Sequence, residues 1–454
     1  MTKTIKLRKG LDIKLKGEAE KYITRLPRST VYGIAPAGFP GISPKLLVQA
    51  GENVEAGTPL FFDKRRPEIV VTSPVSGVVE AVERGDKRAV LNVVVRADEV
   101  QRHRKFDIPA RLTREATIEL LLASGLWPCI IQRPYGIVAT PADMPKAVFV
   151  SGFDSAPLAP DLNFALEAEF VNLKRGFEVL RTLAAGRPVH LSLSATSEGV
   201  LDAVGDEEGI VKHTFAGPHP AGNVGVQISH IDPVNKGDRV WTADLWNVAL
   251  IGRFFNTGRL DMTKIYAVAG SGVGRTGYVE ASVGTPIADL VRATGSRAAG
   301  DERLRFISGN ALSGRRVGED GYIGFYANML TVLPEGDRYE LLGWARPGLN
   351  KFSVSRTYLS WLRPGKKYVI DTNLRGGQRP FIVTGLFERY MPMDIYPMQL
   401  LKAILAQDID KMEALGIYEV LPEDLALCEF ADPSKNDIQQ IVQDGIDLMV
   451  KEVG

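Results

Sequence analysis

The hydrophobic period changes three times along this chain, and no single layer architecture satisfies all four of the resulting patterns. From Leu46 the sequence runs LLVQAGENVEAGTPLFFDKRRPEIVVTSPVSGVVEAVERGDKRAVLNVVV, short β-rich runs cut by Gly, Pro and Asn/Asp turns. This predicts an all-β module. From Lys146 to about Asp261, short strands alternate with helices, as in a doubly wound α/β layer. The strand candidates are Ala147 to Val150, Val189 to Leu193 and Ile210 to Phe215. Helical spacing from Phe164 to Leu183 puts Phe164, Ala168, Val171, Phe177, Leu180 and Leu183 near one side, and a further helix is expected from Trp246 to Phe255. The last stretch is helical: Ile395, Met398, Leu401, Ile404 and Leu405 recur at helical spacing, as do Ile438, Ile441, Val442, Met449 and Val453 after Pro433.

The fingerprint Gly-x-Gly-x-x-Gly occurs once, as GVGRTG from Gly272 to Gly277. A dinucleotide loop must open a helix whose first amides receive the pyrophosphate. Here Tyr278 to Val283 alternates like a second strand, so the segment is predicted to be a glycine-rich hairpin after Ile265 to Ala269. Next, GTPIADLVRATG places Thr285 as a helix N-cap and Pro286 at the first helical position. The order strand, hairpin, strand and short helix, followed by RFISGNALSGRRV, describes a small β-grasp unit.

Composition narrows the function classes. The 454 residues suggest about three domains at ~150 residues each. Lys plus Arg number 55 against 54 Asp plus Glu, so no bulk charge favours nucleic acid as a partner. No stretch reaches the ~18 consecutive apolar residues that a spanning helix needs, and the basic N-terminus lacks a secretory apolar core, so a cytoplasmic home is the expectation. Cys129 and Cys428 are the only cysteines, which suits two buried thiols better than a cluster or a disulfide framework. Asp/Glu pairs such as Glu207-Glu208 read as solvated, and no nucleophile elbow, Walker loop or HExxH zinc motif occurs.

Of five histidines, His213, His219 and His230 fall in one segment with spacings of six and eleven. These suit a strand His, a loop His and a helix His with separate jobs better than a metal site. The loop GPHPAGNVG is the best binding candidate. Gly217, Gly222 and Gly225 keep backbone accessible, and His219 offers a donor or acceptor after a sheet strand. The same segment also reads as a rigid loop leading into the next helix through Ala221-Gly222-Asn223. Trp127, Tyr135, Trp241, Trp246 and Trp361 could line a path for an apolar ligand or simply pack cores.

Several stretches resemble known families. The β-rich module is similar to biotinyl/lipoyl carriers, in which a hairpin Lys holds a swinging cofactor. Lys64 in FFDKRR stands near that position, but Arg65, Arg66 and Pro67 replace the usual flank and favour an exposed basic turn. Residues from 263 resemble the soluble-ligand-binding β-grasp (SLBB) family. The order of modules resembles the electron-input subunits of complex I and the Rnf system. Three stretches narrow this: LLASGLWPCIIQRPYGIVATP around Trp127 and Arg133, HTFAGPHPAGNVGVQISHIDPV from His213, and RYMPMDIYPMQLLKAILAQDIDKMEALGIYEVLPEDLALCEF from Arg389. They closely resemble the NqrA family, one component of the Na+-translocating NADH:quinone oxidoreductases, over essentially the whole chain.

That resemblance implies an α/β plus β multidomain protein. A biotinyl/lipoyl-like barrel-sandwich would occupy residues 1–104, a Rossmann-like α/β layer 105–262, an SLBB β-grasp 263–333, and a connecting segment with C-terminal helices 334–454. Flavin-binding relatives carry a GGAGFPT-type loop, whereas this chain has Gly125-Leu126-Trp127-Pro128-Cys129-Ile130 there, and the similar Ala37-Gly38-Phe39-Pro40 lies in another domain. The implied role is that of a cofactor-free component lying peripherally on the cytoplasmic face of the bacterial inner membrane. Its partners would be the other components of the complex, NqrB to NqrF, chiefly the membrane-embedded NqrB, while NADH, flavins, iron-sulfur and quinone chemistry belong to the rest of a sodium-exporting assembly. No catalytic or metal residues are expected, and Gly217, His219, Gly222, Trp127 and Arg133 are the candidate quinone or partner contacts. The basic N-terminal residues Lys3, Lys6, Arg8 and Lys9 read as a solvated face rather than a lipid contact. The alternatives are an Rnf-type electron-input protein and a soluble ligand carrier.

Overall fold

The period-2 runs between Val31 and Ala97 can bury their apolar faces only against one another, and they do so in two small sheets. In the computed structural model, which describes residues 4–295, 303–336 and 348–453, Val31–Ile34, Val90–Ala97, Gly77–Arg84 and Asn53–Val54 form one sheet, and Pro44–Leu46, Pro59–Asp63 and Val70–Thr72 the other. Leu60, Phe61, Val79, Val93 and Val95 are buried in the core they share with the neighbouring layer. Lys64 lies exposed in the bend that follows Pro59–Asp63.

The α/β layer is a mostly parallel sheet. Among the described residues its strand order is Thr4–Lys6, Ile210–Ala216, Val189–Ser194, Val148–Ser151, Val240–Asp244, Ile131–Arg133 and Ile137–Val138. The first five run parallel, Ile131–Arg133 runs antiparallel to them, and Ile137–Val138 pairs antiparallel with Ile131–Arg133. Side chains alternate across this sheet as the strand period requires. Val148 and Val150 join the core that contains Leu173, Phe177 and Leu250 from helices Phe170–Ala184 and Leu245–Thr257, whereas Phe149 joins Ile228 from helix Val224–Ile231. The first two helices cross at glycines: a Cβ on Gly176 would lie 2.1 Å from the Val248 carbonyl oxygen, and one on Gly252 would lie 1.7 Å from that of Asn172.

Two sequence expectations need correction here. The stretch Phe164 to Leu183 is not one helix, because Leu162–Ala165 ends in a 3-10 turn at Glu167–Glu169 before Phe170–Ala184 begins. That turn resets the helical phase, so Ala168 is exposed and Val171 is 69% exposed, while Leu173 takes the inward position. Nor does Thr285 cap a helix. Helix Ile287–Ala293 starts one residue later, with Pro286 at its N-cap position, and the Thr285 hydroxyl donates to the Ser282 carbonyl at 2.7 Å.

GVGRTG joins two antiparallel strands, Thr263–Ala269 and Gly277–Ser282, as its alternating flank required. They sit in a sheet with Met329–Pro334, Leu304–Ser308, Arg315–Val317 and Ile23–Arg25. The C-terminal helices Pro397–Leu405, Ile409–Ala414, Ala426–Ala431 and Ile438–Glu452 pack around Met391, Leu401, Leu425, Cys428 and Val442. Ile395 precedes its helix and is buried all the same, whereas Leu405 points to solvent. Leu7, Phe215, Ala221 and Val226 of the α/β layer belong to this same core, so the helices close over the end of the sheet that carries GPHPAGNVG. Among the described residues, no helix is long and apolar enough to cross a membrane.

Candidate functional site

The GPHPAGNVG loop leaves strand Ile210–Ala216 at its C-terminal end and is clamped on both sides. Gly217 has φ +146°, and a Cβ there would lie 2.6 Å from the Leu7 carbonyl oxygen, so the N-terminal segment can pass over it only because no side chain is present. Leu7 N–H donates to the Ala216 carbonyl at 2.7 Å, and Leu11 N–H donates to that of His219 at 2.9 Å. The His219 amide donates to Asp12 Oδ1 at 2.9 Å. On the other side, Ser155 Oγ accepts the Gly222 amide at 2.8 Å and lies 3.0 Å from His219 Nδ1, while Ser151 Oγ donates to the Gly222 carbonyl at 2.9 Å. A Cβ on Gly222 would sit 2.5 Å from the Ser155 amide nitrogen.

Burial pushes His219 down to about 4, against weaker upward pulls from Asp12 and Asp424, so the ring is neutral near pH 7. Among the described residues, its Nε2 has no hydrogen-bond partner. Neither does Gln227 Oε1, although Gln227 Nε2 donates to Ser151 Oγ at 2.8 Å, and Asp424 Oδ1 is likewise unpaired. Among the described residues, three buried polar atoms without a partner therefore surround one loop.

Arg133 anchors the loop to the C-terminal helices. It is almost fully buried, with Nη1 2.9 Å from Asp424 Oδ2 and Nη2 2.7 Å from Glu423 Oε1. Asp424 is equally buried and also accepts the Leu421 amide at 3.0 Å, and Asn223 Nδ2 donates to the Glu423 carbonyl at 3.1 Å. A Cβ on Gly225 would lie 2.4 Å from both Arg133 Nη1 and Asp424 Oδ2, so Gly225 is the space into which this ion pair fits. The Arg133-Pro134 and His219-Pro220 peptide bonds are both cis.

Four of the five candidate residues thus come together, with Arg133 reaching Gly217, His219 and Gly222 through Gly225 and Asp424. Trp127 stands apart. It is fully buried, its Nε1 donates to the Ala139 carbonyl at 2.7 Å, and its ring meets Trp241 edge-on at 5.6 Å between centroids. Trp241 and Trp246 are buried too, Tyr135 is half-buried, and Trp361 is exposed. In Gly125 to Ile130 the amides of Leu126, Cys129 and Ile130 donate to the carbonyls of Leu121, Leu126 and Trp127. With the Gly125 amide on the Leu122 carbonyl, four of the loop's amides thus bond within it or to the preceding helix.

Ser151, Ser155, Asp12 and Gln227 carry no direct sign in the sequence, because isolated Ser and Asp usually serve turns and caps and a single Gln in a helix reads as facing solvent. Equally unannounced is a cavity of about 550 Å³ beyond the ends of strands Val148–Ser151 and Val189–Ser194. Gly152, Asp154, Asn163, Ser194 and Thr196 are among its lining residues, as are Lys21 and Asp161, which pair at 2.6 Å. The other two histidines of that segment are placed as their spacing suggested, on a strand (His213) and a helix (His230), but His213 Nε2 also meets His190 Nδ1 at 2.9 Å. Cys129 and Cys428 are buried free thiols, and burial pushes Cys428 up to about 12. Among the described residues, no group of three or more His, Cys, Asp or Glu side chains is placed to hold a metal ion.

Sequence comparison bears on the whole chain. Residues 5–98 match the NqrA N-terminal barrel-sandwich hybrid domain, and residues 112–260 match the NqrA second alpha/beta domain. The NqrA protein of the Na(+)-translocating NADH-quinone reductase of Serratia proteamaculans is 35% identical, covering 99% of this chain and 100% of its own. The corresponding protein from Rhodopirellula baltica is 34% identical over 98% of each chain, and that from Tolumonas auensis 35% over 95% and 96%. With such identity sustained from end to end, and with the barrel-sandwich and α/β regions both matched in place, this chain belongs to the NqrA family of the Na+-translocating NADH-quinone reductases.

Proposed function

We propose that this chain is a peripheral, cofactor-free component that docks on the membrane-embedded NqrB at the cytoplasmic face of the bacterial inner membrane. Electron transfer from NADH to quinone, and the Na+ export coupled to it, run through the other components, NqrB to NqrF. The observation that carries this reading is the loop Gly125 to Ile130. The amides of Gly125, Leu126, Cys129 and Ile130 bond within the loop or to the preceding helix, and the Trp127 indole is fully buried. In this reading the four modules are the carrier-like 1–104, the Rossmann-like 105–262, the SLBB β-grasp 263–333 and the C-terminal 334–454. Strands Thr4–Lys6 and Ile23–Arg25 of the first are lent to the second and third.

The GPHPAGNVG loop then acts by position. Sealed between the N-terminal segment and the Arg133–Asp424 pair, it fixes how the C-terminal helices sit on the α/β layer, and so fixes the surface offered to NqrB and to the approach of a quinone. The experiment is affinity purification of the full chain from solubilised membranes, with an absorbance spectrum of the chain expressed alone. Co-purifying integral membrane proteins of the complex and a colourless isolated chain are expected. A bound chromophore in the isolated chain, or recovery without any integral membrane partner, would overturn the reading.

A further inference from the structure

Residues 348–385 carry seven Lys or Arg and one Asp, leaving 48 basic against 53 acidic residues in the rest of the chain. This segment alone therefore carries a net charge of +6. The same segment holds eight of the exposed large apolar side chains, and at its centre the 3-10 turn Leu359–Leu362 presents Leu359, Trp361 and Leu362, with Trp361 49% and Leu362 60% exposed. Isolated exposed leucines are ordinary, but a contiguous group with a tryptophan is not.

The group is held in place from behind. Tyr368 is buried and its hydroxyl donates to the Ser360 carbonyl at 3.2 Å. Its backbone pairs with the N-terminal segment through Lys16 N–H to the Tyr368 carbonyl and Tyr368 N–H to the Lys14 carbonyl, both 2.8 Å. Phe352 packs against Tyr368 and Phe430. Lys14 Nζ donates to the Pro364 carbonyl at 2.7 Å. The turn is thus bolted to the body through Ser360 and Tyr368, and Trp361 and Leu362 point away. Arg356 and Arg363 flank it, both exposed and both without an ion pair among the described residues.

We propose that the turn Leu359–Leu362, with Arg356 and Arg363, is a docking surface for an anionic lipid bilayer. Cations beside an exposed Trp and Leu suit the boundary between headgroups and acyl chains, where the indole and leucines enter and the guanidinium groups meet phosphate. Pairing with an acidic protein surface would use the cations but leave the apolar group uncovered. The proposal builds on the peripheral placement above, and its test is separate.

The full chain, without the rest of the complex, is sedimented with vesicles of phosphatidylcholine alone or mixed in equal parts with phosphatidylglycerol. Binding is expected only to the mixed vesicles, and it weakens as salt screens the headgroups. Arg356→Gln and Arg363→Gln each weaken it about fivefold, and Trp361→Ser weakens it at every salt concentration, with thermal unfolding unchanged in all three. Absence of binding to the mixed vesicles at low salt, equal binding to neutral ones, or variants that bind like the parent would overturn the proposal. So would variants that lose integral membrane partners in purification while the parent binds no vesicles, because that assigns the surface to a protein. Vesicle binding without recovery of integral membrane partners would instead sink the proposed function and leave this surface standing.

Discussion

Arg133 shows how much one buried charge commits a structure to. Its partner Asp424 has no exposed side-chain surface, so removing the guanidinium would strand a carboxylate away from water. Breaking a buried pair from one side costs about 3–5 kcal/mol. Arg133→Met should lower stability by about that amount in urea titration, and Arg133→Met with Asp424→Leu should recover part of it; a single variant as stable as the parent would mean that the pair is not buried in solution. His219 supplies a pH dependence. Its folded value of about 4 lies below the ordinary value of 6.5, so the folded state holds fewer protons between the two. Stability conferred by the neutral ring is complete above about pH 6.5 and is lost as pH falls toward 4, with an upper bound of order 3 kcal/mol. His190, also held near 4 by burial and by His213, adds in the same direction. His219→Gln should flatten the stability curve between those limits; an unchanged slope would rule out a contribution from this ring. The sequence marked Arg133 and His219 but not their partners, because Asp424 and Ser155 are brought to them by chain more than sixty residues away.

At the scale of elements, the crossing of Phe170–Ala184 with Leu245–Thr257 depends on two residues that no hydrophobic pattern would single out. Gly176 and Gly252 let the helix backbones touch, and a methyl group on either would meet a carbonyl oxygen well inside contact distance. Overpacking of this kind typically costs about 1–3 kcal/mol. Gly252→Ala should therefore lower the urea midpoint while leaving the far-ultraviolet spectrum helical, and an unaltered midpoint would show that the helices have room to separate. The strands and most helices of the α/β layer were legible because their apolar residues repeat with the local period. The break at Glu167–Glu169 was not, since Ala168 and Val171 keep helical spacing through a turn that shifts the phase.

The molecule as a whole is interlaced rather than beaded. Strand Thr4–Lys6 edges the α/β sheet and Ile23–Arg25 edges the sheet that holds GVGRTG, while the C-terminal helices share one core with Phe215 and Val226. Expressed alone, residues 112–260 would present Ile210–Ala216 as a bare edge and leave Phe215 uncovered, which invites association. That fragment should be less stable than the full chain in urea and should self-associate by light scattering; a monomer as stable as the parent would mean that the interlacing adds little. The four hydrophobic patterns, the hairpin at GVGRTG and the family are written in the order of residues alone, because each depends on near neighbours or on likeness along the chain. Which distant groups meet came only with the folded arrangement: Asp12 with His219, Asp424 with Arg133, Tyr368 with Ser360. Such contacts are settled by the packing of whole layers, and no local period carries that information.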